Sequence, residues 1–372
     1  MRGGFLVQTI VKENYLISGF FVFFLIHASQ TGIGMLQFQR MAIYGAEQDS
    51  WLAVLFTGIS LHLVLWMMYQ MLRNPSKDVI EVHRFCFGKY MGNAASLLLI
   101  AYFFMTALTV LRVYIHVLQV WIFPSLQTWE LSLIFIGILS YLVTGGFRAL
   151  TGFCFFSVIL STLLMAAFYF PLEYGQLHHL LPIFNHSLSD LLLSAQSSSI
   201  IFLGFETLLL YFPFLRTPQE SMKWAHLGLL FSTLKYAVLL VITLLYFSQG
   251  HLIHSLWPTL EMAKIIEIQF LERFELLFIF SWFMIIIPTV CIPLWCCTRI
   301  LKRVCRIKPS WSLVILMTCL MVASILVQDQ LEVDFLGNFS SVTGLYFVYV
   351  YIPLLFIFYK IIERIKLRRN HL

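Results

Sequence analysis

The residues able to do chemistry in this chain are few, and two of them stand where charge is expensive. Glu206 and Lys235 lie near the middles of two apolar runs, about 190–214 and about 224–247. An ionisable side chain at the centre of a bilayer is a candidate for function, because placing it there costs so much. Their matching depth predicts an intramembrane charge pair. It is either a static pair that fixes helix packing or one that takes part in ion coupling or gating. Arg112 has no evident partner, and its long stem is expected to carry the charge to an interface. His27, His62 and His116 are isolated on apolar runs, as satisfied core histidines are. His178-His179 stands in a loop without a cysteine or acidic cluster, so no metal centre is expected. The seven cysteines, Cys86, Cys154, Cys291, Cys296, Cys297, Cys305 and Cys319, show no CxxC spacing and read as inert thiols. No buried nucleophile or His–carboxylate constellation points to an enzyme, so no catalytic residue and no cofactor is expected.

The elements that must position these residues follow from composition. Of 372 residues, 60% are hydrophobic and 11% charged, and the mean hydropathy is +0.86. A span of a bilayer needs roughly 20 apolar residues. Ten such runs are legible, at about 15–44, 51–72, 92–121, 129–145, 151–172, 190–214, 224–247, 274–297, 311–328 and 337–360. The fold class expected is an all-α polytopic membrane protein, one domain over 1–372. Its two five-helix halves cover about 14–175 and 188–362, and a basic tail runs to 372.

Charge orients the spans. With both termini cytoplasmic, the inner loops receive Arg73, Lys77, Arg84, Lys89, Arg148, Arg216, Lys223, Arg299, Lys302 and Arg303, along with the basic tail. The outer side keeps only Arg40, Lys264 and Arg273, which satisfies the positive-inside rule. The net charge of +6 is therefore a topology signal and predicts no nucleic-acid partner. The first apolar run exceeds the core of a secretory signal and lacks a small-residue cleavage site, so it is expected to stay in the mature protein. An inner segment, Asn74 to Gly92, mixes Val79, Ile80, Phe85 and Phe87 with charges and predicts a short interfacial helix. An outer segment, His251 to Glu275, has similar character and is expected to cover the outer mouth.

Two spans have the wrong composition for a continuous helix. SQTGIGMLQFQR, Ser29 to Arg40, puts two glycines and several polar residues into the first run, and SAQSSSIIFLGFE, Ser194 to Glu206, does so in the sixth. Interrupted backbone at membrane depth is tolerated only where the freed groups face protein or a water-filled cavity. Breaks at corresponding positions of two halves point to a midplane substrate site between inverted repeats. Thr31, Gly32, Ile33 and Gly34 are therefore expected to bind a small polar ligand together with Ser198, Gly204 and the backbone between them. Phe205 would close one side and Tyr102 would form a third wall. The other reading of both stretches is a small-residue packing seam between helices.

Three segments carry a family resemblance. LGFETLLLYFPF (203–214), WPTLEMAKIIEIQFLERFE (257–275) followed by Trp282, and DVIEVHRFCFGKYMG (78–92) are similar to signatures of the spore germination permeases. These are the B subunits of nutrient germinant receptors, a branch of the amino acid–polyamine–organocation superfamily. The resemblance runs along nearly the whole chain. It implies a ten-helix, 5+5 inverted-repeat, transporter-like fold with broken helices 1 and 6. It also implies a small nutrient germinant, an amino acid or similar, in a central cavity, partner A and C subunits, and residence in the spore inner membrane. One departure stands out: where the family's first helix ends in Leu-Pro-Arg, Arg40 matches but Phe38-Gln39 replaces the Leu-Pro pair. The alternative function is a stand-alone secondary amino acid transporter.

Overall fold

A computed structural model describes residues 11–73, 77–267 and 273–370. The described chain is helical, and its only strand-like feature is an isolated parallel bridge between Ile17 and Leu215. The first apolar run forms α1 (Val22–Gln30), a 3-10 turn and α2 (Phe38–Ala42). It is followed by α3 (Ser50–Met71), α4 (Val79–Trp121), α5 (Thr128–Thr144), α6 (Gly146–Ala166) and α7 (Tyr169–Leu172). The sixth run is divided into α8 (Leu188–Ser198) and α9 (Leu208–Tyr211). The rest comprises α10 (Pro218–Tyr246), α11 (Gln249–His254), α12 (Pro258–Ala263), α13 (Phe274–Val304), α14 (Pro309–Leu326), α15 (Gln330–Tyr346) and α16 (Ile352–Asn370).

Among the described residues, seven helices are long and apolar enough to cross a membrane. The bent pair Leu188–Phe202 and Phe205–Phe214, whose axes differ by 53°, is long and apolar enough to make an eighth if taken as one span. Two further apolar helices, Gly19–Gln30 and Thr128–Thr144, are shorter. Helix is forced by the solvent, since lipid offers no partner for a free N–H or C=O and only a helix or a closed barrel satisfies them all.

The centre is built from α13, which packs against α4 and α6, and from α10, which packs against α1 and α3. Small residues allow the close crossings: a Cβ on Gly58 of α3 would stand 2.2 Å from the Thr233 hydroxyl of α10. The two ends of the bundle differ. One carries Arg84, Arg299, Arg303, Lys308 and α16 and is called the basic end below. The opposite end carries α2, α11, α12 and the 3-10 turn Glu47–Asp49.

The inner segment is helical from Val79 onward and forms the start of α4. Asp78 caps α4 by accepting from the Glu81 N–H at 3.2 Å, and Gly88, with φ 77°, kinks the helix before its long span. Asn74, Pro75 and Ser76 lie outside the described residues. The described part of the outer segment forms α11 and α12, and Thr259 of α12 donates to the Met35 carbonyl at 2.8 Å, so α12 packs on the turn after the first break; residues 268–272 of the segment lie outside the described residues. Arg112 departs from expectation. It is fully buried and donates to the carbonyls of Val327 and Gln328, in the extended chain just past α14, instead of reaching water.

Candidate functional site at the two helix breaks

The first break starts where α1 ends. Glycines two apart make poor helix, and Thr31 leaves helical geometry with φ −88° and ψ 81°. The Thr31 hydroxyl donates back to the His27 carbonyl at 2.9 Å, and the Gly32 N–H to the Gln30 carbonyl at 3.1 Å. The chain then makes the 3-10 turn Ile33–Leu36 before α2. Gly32 lies against α13, where a Cβ would come to 3.3 Å from Thr289, and Gly34 lies 3.5 Å by the same measure from Ile201.

The second break centres on Gly204. After the 3-10 turn Ser199–Phe202, Leu203 is extended and Gly204 takes φ 113°, a region open to glycine and hostile to other residues. A Cβ there would stand 2.2 Å from the Ser29 carbonyl oxygen, so the two breaks meet backbone to backbone. Gln30 Nε2 donates to the Phe202 carbonyl at 3.0 Å, and the Tyr236 hydroxyl to the Gln30 carbonyl at 2.7 Å. Carbonyls freed by the breaks are thus met by side chains of the neighbouring break and of α10.

Glu206 is buried and accepts two hydrogen bonds, from the Tyr102 hydroxyl at 2.6 Å and from the Gly204 N–H at 2.7 Å. Tyr102 in turn stacks on Phe347 at 4.3 Å, where a π-helical turn, Phe347–Tyr351, joins α15 to α16. Lys235 has different partners: it donates to Ser161 of α6 at 2.7 Å and lies 3.4 Å from His27 Nε2. The expected Glu206–Lys235 pair is therefore not formed. The amide freed at Gly204 captures the carboxylate two residues away, whereas the flexible lysine stem delivers its ammonium to α1 and α6.

The structure gathers Thr31, Gly32, Ile33, Gly34, Tyr102, Gly204, Phe205 and Glu206 around the two breaks, all buried except the half-buried Gly34. Ser198 is buried too, but its hydroxyl donates to the Ser194 carbonyl within α8 at 2.9 Å. Sequence reasoning missed Gln30, Phe202 and Tyr236. Gln30 carried a signal, being one of three glutamines in the first break, while Tyr236 was hidden beside the more conspicuous Lys235. Ser29 Oγ and Gln30 Oε1 are buried beside the contact without a protein partner among the described residues. The geometry offers polar acceptors and a carboxylate in an apolar surround, which is suited to holding a small polar molecule rather than to bond making.

Of the core histidines, His27 is bonded to Ser232 at 2.7 Å, while His62 shares a 2.7 Å contact with His226. His116 Nε2 has no partner among the described residues.

The ends of the bundle are unequal above and below these breaks. At the basic end, Ile17 exchanges backbone bonds of 2.9 Å with Phe214 and Arg216, tying the chain before α1 to the chain after α9. Arg299 lies 4.5 Å over the Phe214 ring, and Arg303 bonds to Asp78 and Glu81. At the opposite end a pocket of about 410 Å³ is lined by Arg40, Tyr44, Glu47, Gln249 and their neighbours.

Comparison with known proteins agrees with this architecture. Residues 16–333 match the family model described as spore germination protein. The chain is 34% identical over 359 residues to spore germination protein GerQB of Bacillus cereus, covering 96% of this chain and 99% of that one. It is 22% identical over 275 residues to spore germination protein B2 of Bacillus subtilis, covering 73% and 75%. Among solved structures, MhsT in complex with L-phenylalanine shares the fold with a TM-score of 0.59 at 13% identity, covering 91% of this chain and 87% of MhsT. The chain, an apolar helical membrane protein with its first and sixth apolar runs broken against each other, belongs to the spore germination protein family.

Proposed function

We propose that this chain is the membrane subunit of a spore nutrient germinant receptor and binds a small nutrient, an amino acid or similar, between its two broken helices. The observation that carries the proposal is the backbone contact of Gly204 with Ser29, with Glu206 and the unpartnered oxygens of Ser29 and Gln30 beside it. The reading takes the ten apolar runs as ten spans in two inverted halves, with both termini cytoplasmic and the chain in the spore inner membrane. A and C subunits are its partners. Nutrient acts by preferring one arrangement of the broken helices over another, since a ligand with equal affinity for both shifts nothing.

The experiment is reconstitution in spores stripped of other receptors. Expected is a nutrient-triggered loss of refractility that requires co-expressed A and C subunits and is lost in Gly34→Leu, with the variant still present in the membrane. The second reading, a stand-alone secondary amino acid transporter, draws on the fold shared with MhsT. Uptake of labelled amino acid into proteoliposomes holding the isolated chain would favour it. Germination without A and C would also count against the receptor reading.

A further inference from the structure

Around Phe85 and Tyr359, at the basic end, three ammonium groups converge on two aromatic rings. Lys366 Nζ stands 3.8 Å over the Phe85 ring and donates to the Phe85 carbonyl at 3.3 Å. Lys77 Nζ lies 5.3 Å from the same ring and 5.5 Å from that of Tyr359, whose hydroxyl it donates to at 3.3 Å. Lys360 lies 5.7 Å over Tyr359. The cluster holds one carboxylate, Glu363, which Lys360 engages at 2.8 Å. Lys77 and Lys366 make no ion pair with the described residues.

Next to these charges the surface turns apolar. Phe87 and Phe358 pack at 5.9 Å with 40% and 51% of each exposed, and Tyr90 and Met91 are 84% and 70% exposed just past the Gly88 kink. One carboxylate among three ammonium groups leaves an excess of positive charge that repels itself, and the aromatic faces offset only part of that. A stripe that is cationic at one end and apolar along the other matches one kind of molecule, with an anionic head and hydrocarbon chains.

We propose that this seam between residues 77–91 and α16 is a binding site for an anionic phospholipid of the adjacent leaflet. The headgroup phosphate lies between Lys77 and Lys366, and an acyl chain runs over Phe87, Phe358 and Met91. Bound lipid would join α16 to the kinked start of α4. The inference does not depend on the germinant reading, because lipid retention is measured without nutrient or partner subunits.

The test is native mass spectrometry of the full chain released from nanodiscs that contain equal parts phosphatidylglycerol and phosphatidylcholine. Wild type is expected to retain phosphatidylglycerol in excess. Each lysine near an anionic surface contributes roughly a fivefold preference, so Lys77→Gln and Lys366→Gln should each lower the excess about that much. The double variant Lys77→Arg/Lys366→Arg, which keeps both charges, should retain it, separating a site from a folding defect. Equal retention of the two lipids by wild type, or undiminished phosphatidylglycerol in the double glutamine variant, would overturn the proposal. So would displacement of the lipid by inorganic phosphate, which would identify a site for the free ion.

Discussion

Tyr102 and Gly204 each give Glu206 one hydrogen bond, and neither brings a positive charge. The carboxylate is thus held by dipoles from α4 and from its own turn, and Tyr102 couples it to Phe347 at the junction of α15 and α16. Tyr102→Phe removes one of these donors while keeping the stack. A loss of about 1.5 kcal/mol is expected, near the upper end for interhelical bonds in membranes because the acceptor is buried and can be ionised. Unfolding of the purified chain in mixed micelles would measure it. Glu206→Gln and Lys235→Met share no partner, so their effects should add within about 0.5 kcal/mol in the double variant. Recovery of stability in that variant would show that the two charges feel one another after all.

At the scale of elements, the breaks and the basic-end clasp place the strongest constraints on sequence. Gly204→Ala sets a Cβ within 2.2 Å of the Ser29 carbonyl at φ 113°, and neither backbone can move without parting the broken helices. Membrane-inserted, folded protein should fall severely on a gel-filtration profile. Gly137→Ala is the control: in α5 nothing lies within 4 Å of the new methyl, and stability should stay level or rise by about 0.5 kcal/mol. The clasp is ionic. Asp78 is buried, caps α4 and receives Arg303, with Arg299 at 3.8 Å. Asp78→Ala leaves the part-buried Arg299 without a counter-charge and Arg303 with Glu81 alone, and should cost about 3 kcal/mol. Thermal inactivation of the variant in nanodiscs is the measurement, and an unchanged midpoint would show that Glu81 alone suffices for Arg303.

For the molecule as a whole, the uneven loop charges make an orientation experiment decisive. In a background without the seven native cysteines, Lys308→Cys and His254→Cys stand at opposite ends of the bundle. An impermeant thiol reagent applied to intact cells is expected to label position 254 and to reach position 308 only after permeabilisation. Labelling of both in intact cells would overturn the cytoplasmic assignment of the termini. The ties of Ile17 to Phe214 and Arg216 at the basic end and the pocket at Arg40 at the other also give the molecule a direction. Nutrient should reach the breaks from the pocket side, so a bulky adduct on a cysteine at Gln249 should slow the response, read as the lag before germination.

Sequence alone determined the solvent, the helical class, the positions of the apolar runs and the two breaks. Those properties are local: a run of about 20 apolar residues or a pair of glycines acts on its own stretch of chain whatever surrounds it. Family membership was legible for the same reason, through short segments such as 203–214 read in order. Only the tertiary structure decided the partners. Equal depth of Glu206 and Lys235 was a one-dimensional estimate, and it could not foresee that the amide freed at Gly204 would claim the carboxylate while α6 supplied Ser161 to the lysine. Arg112 read as a snorkelling residue because its acceptors, the carbonyls of Val327 and Gln328 after α14, lie more than 200 residues away in the chain. Buried polar groups take whatever complementary atom the packing brings within 3 Å, and which atom that is depends on how the helices are set against one another.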